Sequence, residues 1–425
     1  MVFIKKKQLL PLTLLLLASS VEVQAGPRDQ AKKLYSSLTG NTANKAIADK
    51  YEKMVKDGKI KAAAKEIVES NQGFYNVTLK NFFTPMSNED GTQFAPLNDM
   101  TATLIGVTRD EIDFFRVFWD NILYQFDGQL ITNSASGIPS KFDKYKATND
   151  RLYLSKYDAA IPTYNRAKNN MYEEAEKMNI SYSDTSALVR TQQNPYTTLK
   201  EAAIAGIFST RGWAKAYYEA GTNRASFAYF AKNFLCLEME ELNDTTIPDF
   251  RVRRDVDRAP GGKTETYKTF CVGCHAGQDA LGGAFVYYDF TSGAMRYAEH
   301  EGVNENGEIV SVGPIAPKIN KNNMFPDGKI TTSDSWINLW NEGQNAYIGW
   351  GEATSGNGAK SLGKMFAETK QVRSCLAKQV FESVCYRTPS SEEDKRTVEV
   401  LAEEFDKDGN MKNLFINAAL TCIGD

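Results

Sequence analysis

The sequence predicts a mainly α, multi-helical fold with long irregular loops, and three observations support that prediction. Apolar residues recur at helical spacing near the two ends of the chain. Residue types that end helices follow them at Asp57-Gly58 and at Thr388-Pro389. Between these parts, residues 276–365 are rich in Gly, Asn and Asp and contain no long periodic run. We therefore expect helices before and after residues 276–365 and irregular structure within that segment.

Residues 28–72 are predicted to be largely helical. One helix covers about residues 43–55 and ends at Asp57-Gly58, and a second covers about residues 59–70. The apolar residues of the first helix recur every three or four positions, at Ala43, Ile47, Tyr51 and Met54. Residues 84–96 are rich in turn-forming residues and are predicted to be a loop.

Thr108-x-x-Glu111 has the spacing of a capping box and predicts the start of an amphipathic helix. The apolar side of that helix would carry Ile112, Phe115, Phe118, Trp119 and Ile122. Such a stripe is more typical of a packed core than of a cofactor wall. Further helices are predicted over residues 164–178, 199–208 and 225–237.

The C-terminal region is predicted to contain three helices, over about residues 364–387, 391–405 and 411–422. A short hairpin is predicted around Asn306-Gly307. Residues 54–61 and 405–412 resemble each other, and each pair of flanking segments is helical. A duplicated helical hairpin would explain this likeness, and so would chance similarity between two Asp-Gly helix breaks.

Residues 1–25 have the features of a secretory signal peptide. Lys5, Lys6 and Lys7 form a basic start, residues 9–18 are largely apolar, and Val23-Gln24-Ala25 offers a cleavage site of small residues. The apolar run is too short for a transmembrane span, and no later stretch is suited to one. We therefore expect an exported protein of the periplasm or the outer cell envelope.

Charge limits the partners of the processed chain. The full chain of 425 residues has a net charge of −3; removal of the leader, whose charge is +2, leaves 400 residues with a charge of −5. This mild acidity argues against nucleic acid and against an anionic membrane surface as partners. Apolar residues make up 42% of the chain, which is ample for a core.

The motif Cys271-Val-Gly-Cys274-His275 has the spacing of a c-type haem attachment site. The two thiols would add to the haem vinyl groups, and His275 would bind the iron as proximal ligand. A redox dithiol or half of a zinc site are the alternatives for a Cys-x-x-Cys pair. An export signal favours haem, because covalent attachment takes place outside the cytoplasm. We therefore expect one covalent haem c.

Only two histidines occur, His275 and His300, which excludes a second haem motif, a three-His zinc site and a catalytic triad with a spare imidazole. The distal iron ligand has several candidates. Met324 lies 49 residues after His275, before Phe325-Pro326-Asp327-Gly328, and that placement resembles the distal Met of small c-type cytochromes. His300 is the alternative, and Met295 and Met365 are weaker candidates.

Four cysteines remain outside the motif, and in an oxidising compartment they can form two disulfides with three possible connectivities. Cys375 and Cys385 are ten residues apart on one predicted helix, hence about 15 Å apart, which is too far for a bond. Cys385 and Cys422 are at the same end of the predicted three-helix bundle. We expect Cys385–Cys422 and Cys236–Cys375, four buried free thiols being the alternative.

The segment from Cys271 to Phe290 resembles the planctomycete- and myxobacterial-type single-haem cytochrome proteins, whose one Cys-x-x-Cys-His lies among domains of unknown function. In that family the motif is followed by Ile-Asp-Pro-Leu-Gly-x-Ala-Leu-x-x-Phe-Asp. The matching positions here are Asp279, Leu281, Gly282, Ala284 and Asp289, while Ala280 stands where the family has Pro.

The resemblance extends over about residues 200–425. It includes Ala205-Gly206-Ile207, Phe234-Leu235-Cys236, Arg373-x-Cys375, Tyr386-Arg387-x-Pro389 and Thr421. It implies a haem c and a mainly helical fold with a cytochrome-c-like haem region. It implies no substrate, because the function of the family is largely unassigned.

Four regions are expected: a signal peptide (1–25), an N-terminal helical region (26–195), a haem c region (196–360) and a C-terminal helical domain (361–425). Electron transfer in the bacterial cell envelope, with a redox partner protein, is the first functional hypothesis. A peroxidase- or oxygenase-like haem enzyme is the second. An envelope structural or assembly protein with a stabilising haem is the third. The chain is very long for a one-haem shuttle, and this length favours the second and third hypotheses. Oligomeric state does not follow from the sequence.

Overall fold

The computed structural model describes residues 25–126, 168–193, 201–219, 223–248, 269–291, 293–297, 301–303, 309–311 and 333–424. Within these ranges the chain is mainly helical, as predicted. The α-helices described are α1 (Pro27–Thr39), α2 (Lys45–Lys56), α3 (Ile60–Ser70), α4 (Lys80–Phe83), α5 (Asp99–Arg109), α6 (Asn170–Lys177), α7 (Arg211–Tyr217), α8 (Arg224–Phe230), α9 (Val272–Gly282), α10 (Gly358–Glu368), α11 (Lys370–Cys385), α12 (Glu392–Asp408) and α13 (Met411–Thr421).

The strands are short and form antiparallel pairs. They are β1 (Leu123–Phe126) with β2 (Leu188–Thr191), β3 (Tyr288–Thr291) with β4 (Ala294–Tyr297), β5 (Glu301–Val303) with β6 (Ile309–Ser311), and β7 (Ser335–Ile337) with β8 (Ser355–Asn357). The β5–β6 pair flanks Asn306-Gly307, where a hairpin was predicted, although residues 304–308 themselves lie outside the described ranges.

Helices from the two ends of the chain pack on each other. α1 contacts α2 and α3, α11 contacts α12 and α13, and α13 lies against both α1 and α3. The α2–α3 and α12–α13 turns, which carry the sequence likeness, both place glycine in the left-handed region, with φ of 70° at Gly58 and 59° at Gly409. One hydrophobic cluster joins these helices to the central ones.

Both predicted disulfides lie at bonding distance. The Cα atoms of Cys236 and Cys375 are 5.3 Å apart, and those of Cys385 and Cys422 are 5.6 Å apart. The first pair ties the π-helical turn Ala231–Leu235, which continues α8, to α11. The second joins the C-terminal end of α11 to the residue that follows α13.

The predicted capping box at Thr108 and Glu111 is wrong, because these residues end a helix instead of starting one. α5 begins at Asp99, and Thr108 is in its last turn, with Oγ1 donating to the Leu104 carbonyl (2.8 Å). Glu111 adopts φ of 54°, its amide donates to the Thr108 carbonyl, and the next amide, of Ile112, donates to Val107. This is the Schellman pattern of a helix C-terminus.

Three other helix predictions need correction. Residues 112–122 contain only the 3-10 turn Phe114–Phe118. In the described part of the helix predicted over 199–208, which begins at Glu201, the chain forms the 3-10 turns Glu201–Ala203 and Gly206–Ser209. The helix predicted over 364–387 is two helices separated at Thr369, whose ψ of 123° is extended. Hydrogen bonds with the segment that precedes α10 stabilise this break: Lys370 N donates to the Gly349 carbonyl, and Gly351 N donates to Thr369 Oγ1.

Among the helices described, none combines the length and the apolar character needed to cross a membrane. The predicted signal peptide lies outside the described residues except for Ala25.

Candidate haem attachment site

The Cys-x-x-Cys-His motif forms the beginning of α9, a helix that the sequence analysis did not predict. Cys271 is the N-cap residue, and the amide of His275 donates to the Cys271 carbonyl at 3.1 Å. Residues one turn apart share a helix face, so Cys271, Cys274 and His275, at positions i, i+3 and i+4, lie on one side. All three side chains are partly exposed, and the ring of the preceding Phe270 is 81% exposed.

The opposite side of α9 is buried and is closely packed through two glycines. A Cβ on Gly273 would lie 1.9 Å from Asn243 Oδ1, and a Cβ on Gly277 would lie 2.2 Å from Cε2 of the buried Trp340. The Gly273 carbonyl also accepts a hydrogen bond from the amide of Asp244 at 2.9 Å. The motif therefore lies on a helix whose buried side packs against two other segments of the chain.

The motif thiols differ from the other four cysteines. Cys271 and Cys274 are not disulfide-bonded, whereas the remaining four cysteines form two pairs. Burial raises the pKa of the Cys274 thiol, and the nearby Glu240 carboxylate raises it further.

The carboxylate of Asp279 lies next to the imidazole of His275. Nδ1 of His275 is 3.9 Å from Oδ2 of Asp279, which is one turn further along α9, and the Asp279 carboxylate is wholly buried. The other carboxylate oxygen, Oδ1, accepts a hydrogen bond from Nε of Arg224 at 2.7 Å. Sequence reasoning noted Asp279 only as a position shared with a family. Its i+4 spacing from His275 was the signal that could have identified it as a neighbour of the imidazole.

The predicted distal ligands are not tested by this arrangement. Met324 and His300 lie outside the described residues. The weaker candidates Met295, on β4, and Met365, on α10, are core residues that are 1% and 0% exposed. Arg224, Asn243 and Trp340, which surround α9, had no recognisable signal in the sequence.

The donor set fits a covalent haem c, since two thiols and one imidazole project from the same partly exposed side of one helix. Among the described residues, no three or more His, Cys, Asp and Glu side chains are grouped so as to hold a bare metal ion. Comparison with models of known protein families gave no match, and comparisons with curated proteins and with solved structures gave none either.

Proposed function

We propose that this protein is an exported single-haem c-type cytochrome that transfers electrons in the bacterial cell envelope to or from a redox partner protein. The observation that supports this most strongly is the placement of Cys271, Cys274 and His275 on one partly exposed side of α9. Haem c, when bound, supplies a one-electron iron couple.

Cysteine usage supports haem over a redox dithiol. Four of the six cysteines are paired, and the two that are left are those of the motif. Thioether formation would use both thiols and leave the protein without a free cysteine, which suits an oxidising compartment.

The packing of α9 supports a rigid attachment site. Because Gly273 and Gly277 have no side chains, Asn243 and Trp340 pack closely against the buried side of the helix. This packing fixes the position of the opposite side, which carries the thiols. A fixed ligand geometry keeps the iron environment similar in both oxidation states, which favours electron transfer.

The proposal is tested by intact mass and by absorption spectroscopy of the protein exported from cells that mature c-type cytochromes. We expect the processed chain plus the mass of one haem, and the spectrum of a covalent haem c. Cys271→Ser with Cys274→Ser should give the apo mass. The matched control, Cys385→Ser with Cys422→Ser, also removes two thiols but should retain the haem. A wild-type protein of apo mass would overturn the proposal.

A further inference from the structure

We propose that Asp279 positions the imidazole of His275 as an iron ligand and that Arg224 moderates the negative charge which that imidazole experiences. This inference rests on the proposed haem attachment. It assigns roles to two residues outside the Cys-x-x-Cys-His motif.

The first step is the geometry of the imidazole and the carboxylate. Asp279 follows His275 by four residues, and Nδ1 of the ring lies 3.9 Å from Oδ2 of the carboxylate. The imidazole is 34% exposed and the carboxylate 0% exposed, so the ring has one edge toward solvent and the other toward a buried anion. Nδ1 lies on the side of the carboxylate, at an ion-pair distance that is longer than a hydrogen bond, so Nε2 is the ring nitrogen that would bind iron.

The second step is the orientation of the carboxylate itself. Arg224 Nε donates to Asp279 Oδ1 at 2.7 Å, and the Arg224 carbonyl in turn accepts from Gln278 Nε2 at 3.0 Å. These two contacts connect Arg224, at the start of α8, to Asp279 and to the adjacent Gln278 on α9. Because Oδ1 is held by the guanidinium, Oδ2 remains on the side of the imidazole.

The third step is the effect on the iron. A metal-bound histidine generally donates its second ring N–H to a carboxylate, carbonyl or water, and a carboxylate makes the imidazole a more basic ligand. A more basic ligand stabilises Fe(III) relative to Fe(II) and lowers the reduction potential. The guanidinium of Arg224 withdraws part of that charge. Asp279 therefore lowers the reduction potential, and Arg224 raises it.

The test is a spectroelectrochemical titration of two variants that carry covalent haem. Asp279→Asn keeps an oxygen for Arg224 but removes the anionic acceptor, and it should raise the reduction potential. Arg224→Gln removes the positive charge beside the carboxylate and should lower the potential. A general loss of packing around the haem would instead shift the reduction potentials of both variants in the same direction.

The matched control is Asp244→Asn. Asp244 is also buried beside α9, but its carboxylate accepts from Thr246 and lies near Gly343. Removing this charge should change the reduction potential less than Asp279→Asn does. The difference between the two changes measures the effect of the contact between Asp279 and the imidazole. An Asp279→Asn shift no larger than that of the control would overturn the role of Asp279, and an Arg224→Gln shift upward would overturn that of Arg224.

A measurement on the wild-type protein covers the case in which a variant does not fold. In ¹⁵N-edited NMR of the haem protein, the His275 Nδ1 proton should be shifted downfield and should exchange slowly with solvent. Fast exchange would overturn the inference while leaving haem attachment in place. Lack of haem on the wild-type chain would instead overturn the proposed function, so the two failures are distinguishable.

Discussion

Gly277 of α9 lies directly against the indole of Trp340, so that a Cβ at position 277 would be 2.2 Å from Cε2 of that ring. The indole cannot move aside easily, because it is fully buried and packs against Phe227 at 5.3 Å between ring centroids. This contact sets the distance between α9 and the segment that follows β7.

Gly277→Ala is expected to destabilise the protein. Alanine gains about 1 kcal/mol of helix propensity over glycine, whereas overpacking a core typically costs about 1–3 kcal/mol, and a 2.2 Å approach belongs at the upper end. We expect a net loss of about 1–2 kcal/mol in the free energy of unfolding, measured by chemical denaturation. Combined with Trp340→Leu, which removes the ring, the cost of alanine should shrink; an unchanged cost would contradict the contact.

The helix α9 was missed in the sequence because its own glycines weaken the helical pattern. Gly273 and Gly277 lower helix propensity, and the reason for their presence is the close approach of Asn243 and Trp340, which lie 30 and 63 residues away along the chain. α5 was missed for the converse reason. All eleven of its residues are buried, so it has no solvent-exposed side that would place polar residues at a helical period.

The misassigned capping box has a long-range cause. Glycine is the usual residue at the left-handed position after a helix, yet Glu111 occupies it here. Its carboxylate accepts from Lys412 Nζ at 2.9 Å and from Asn410 Nδ2 at 3.0 Å, about 300 residues further along the chain. By contrast, the disulfide pairing was predictable. The positions of Cys385 and Cys422 at one end of the predicted bundle gave the second pair, and the distance between Cys375 and Cys385 along one helix left Cys236 as the partner of Cys375.

The two disulfides are expected to contribute unequally to stability. The Cys236–Cys375 bond spans 139 residues and the Cys385–Cys422 bond spans 37. By loop-closure entropy, replacing the first pair with serines should cost about 4–5 kcal/mol and replacing the second about 3–4 kcal/mol. Denaturation of each double variant under non-reducing conditions measures the order, and a larger loss for the shorter loop would contradict it. Non-reducing peptide mapping should recover both bonded peptides.

The ion pair of Lys412 with Glu111 should make stability depend on pH in the acid range. The hydrogen bond from Lys412 lowers the pKa of Glu111 in the folded protein. The stabilisation is therefore fully present above the unfolded value of about 4.3 and is lost as the pH falls through the lower folded value. The side chain of Glu111 is 47% exposed, so solvent screening limits the effect to within about 1 kcal/mol.

Glu111→Gln is the variant that measures this contribution. Its deficit in unfolding free energy relative to wild type should be largest near neutral pH and should disappear at pH 2–3. As a control, the same substitution in a Lys412→Met background should give a deficit that varies little with pH, because the ion pair with Glu111 is already removed. A deficit for Glu111→Gln that persists undiminished at acid pH would show that the carboxylate acts through packing instead.

We propose Met324 as the distal iron ligand. The other methionines that were considered, Met295 and Met365, are in the packed core, and Met365 Sδ is 3.7 Å from Thr369 Oγ1. A thioether ligand keeps the iron six-coordinate and raises the potential relative to a second histidine.

Met324→Ala should therefore convert a low-spin iron to a high-spin or water-bound one, with loss of the thioether–iron absorption band near the red end of the spectrum. His300→Ala is the matched control, since it removes the only other imidazole in the chain and should leave the spectrum unchanged. The reverse result would assign the ligand to His300. A wild-type spectrum that is already high-spin would instead favour the hypothesis of a haem enzyme, because an open iron position binds small ligands directly and electron transfer does not require one.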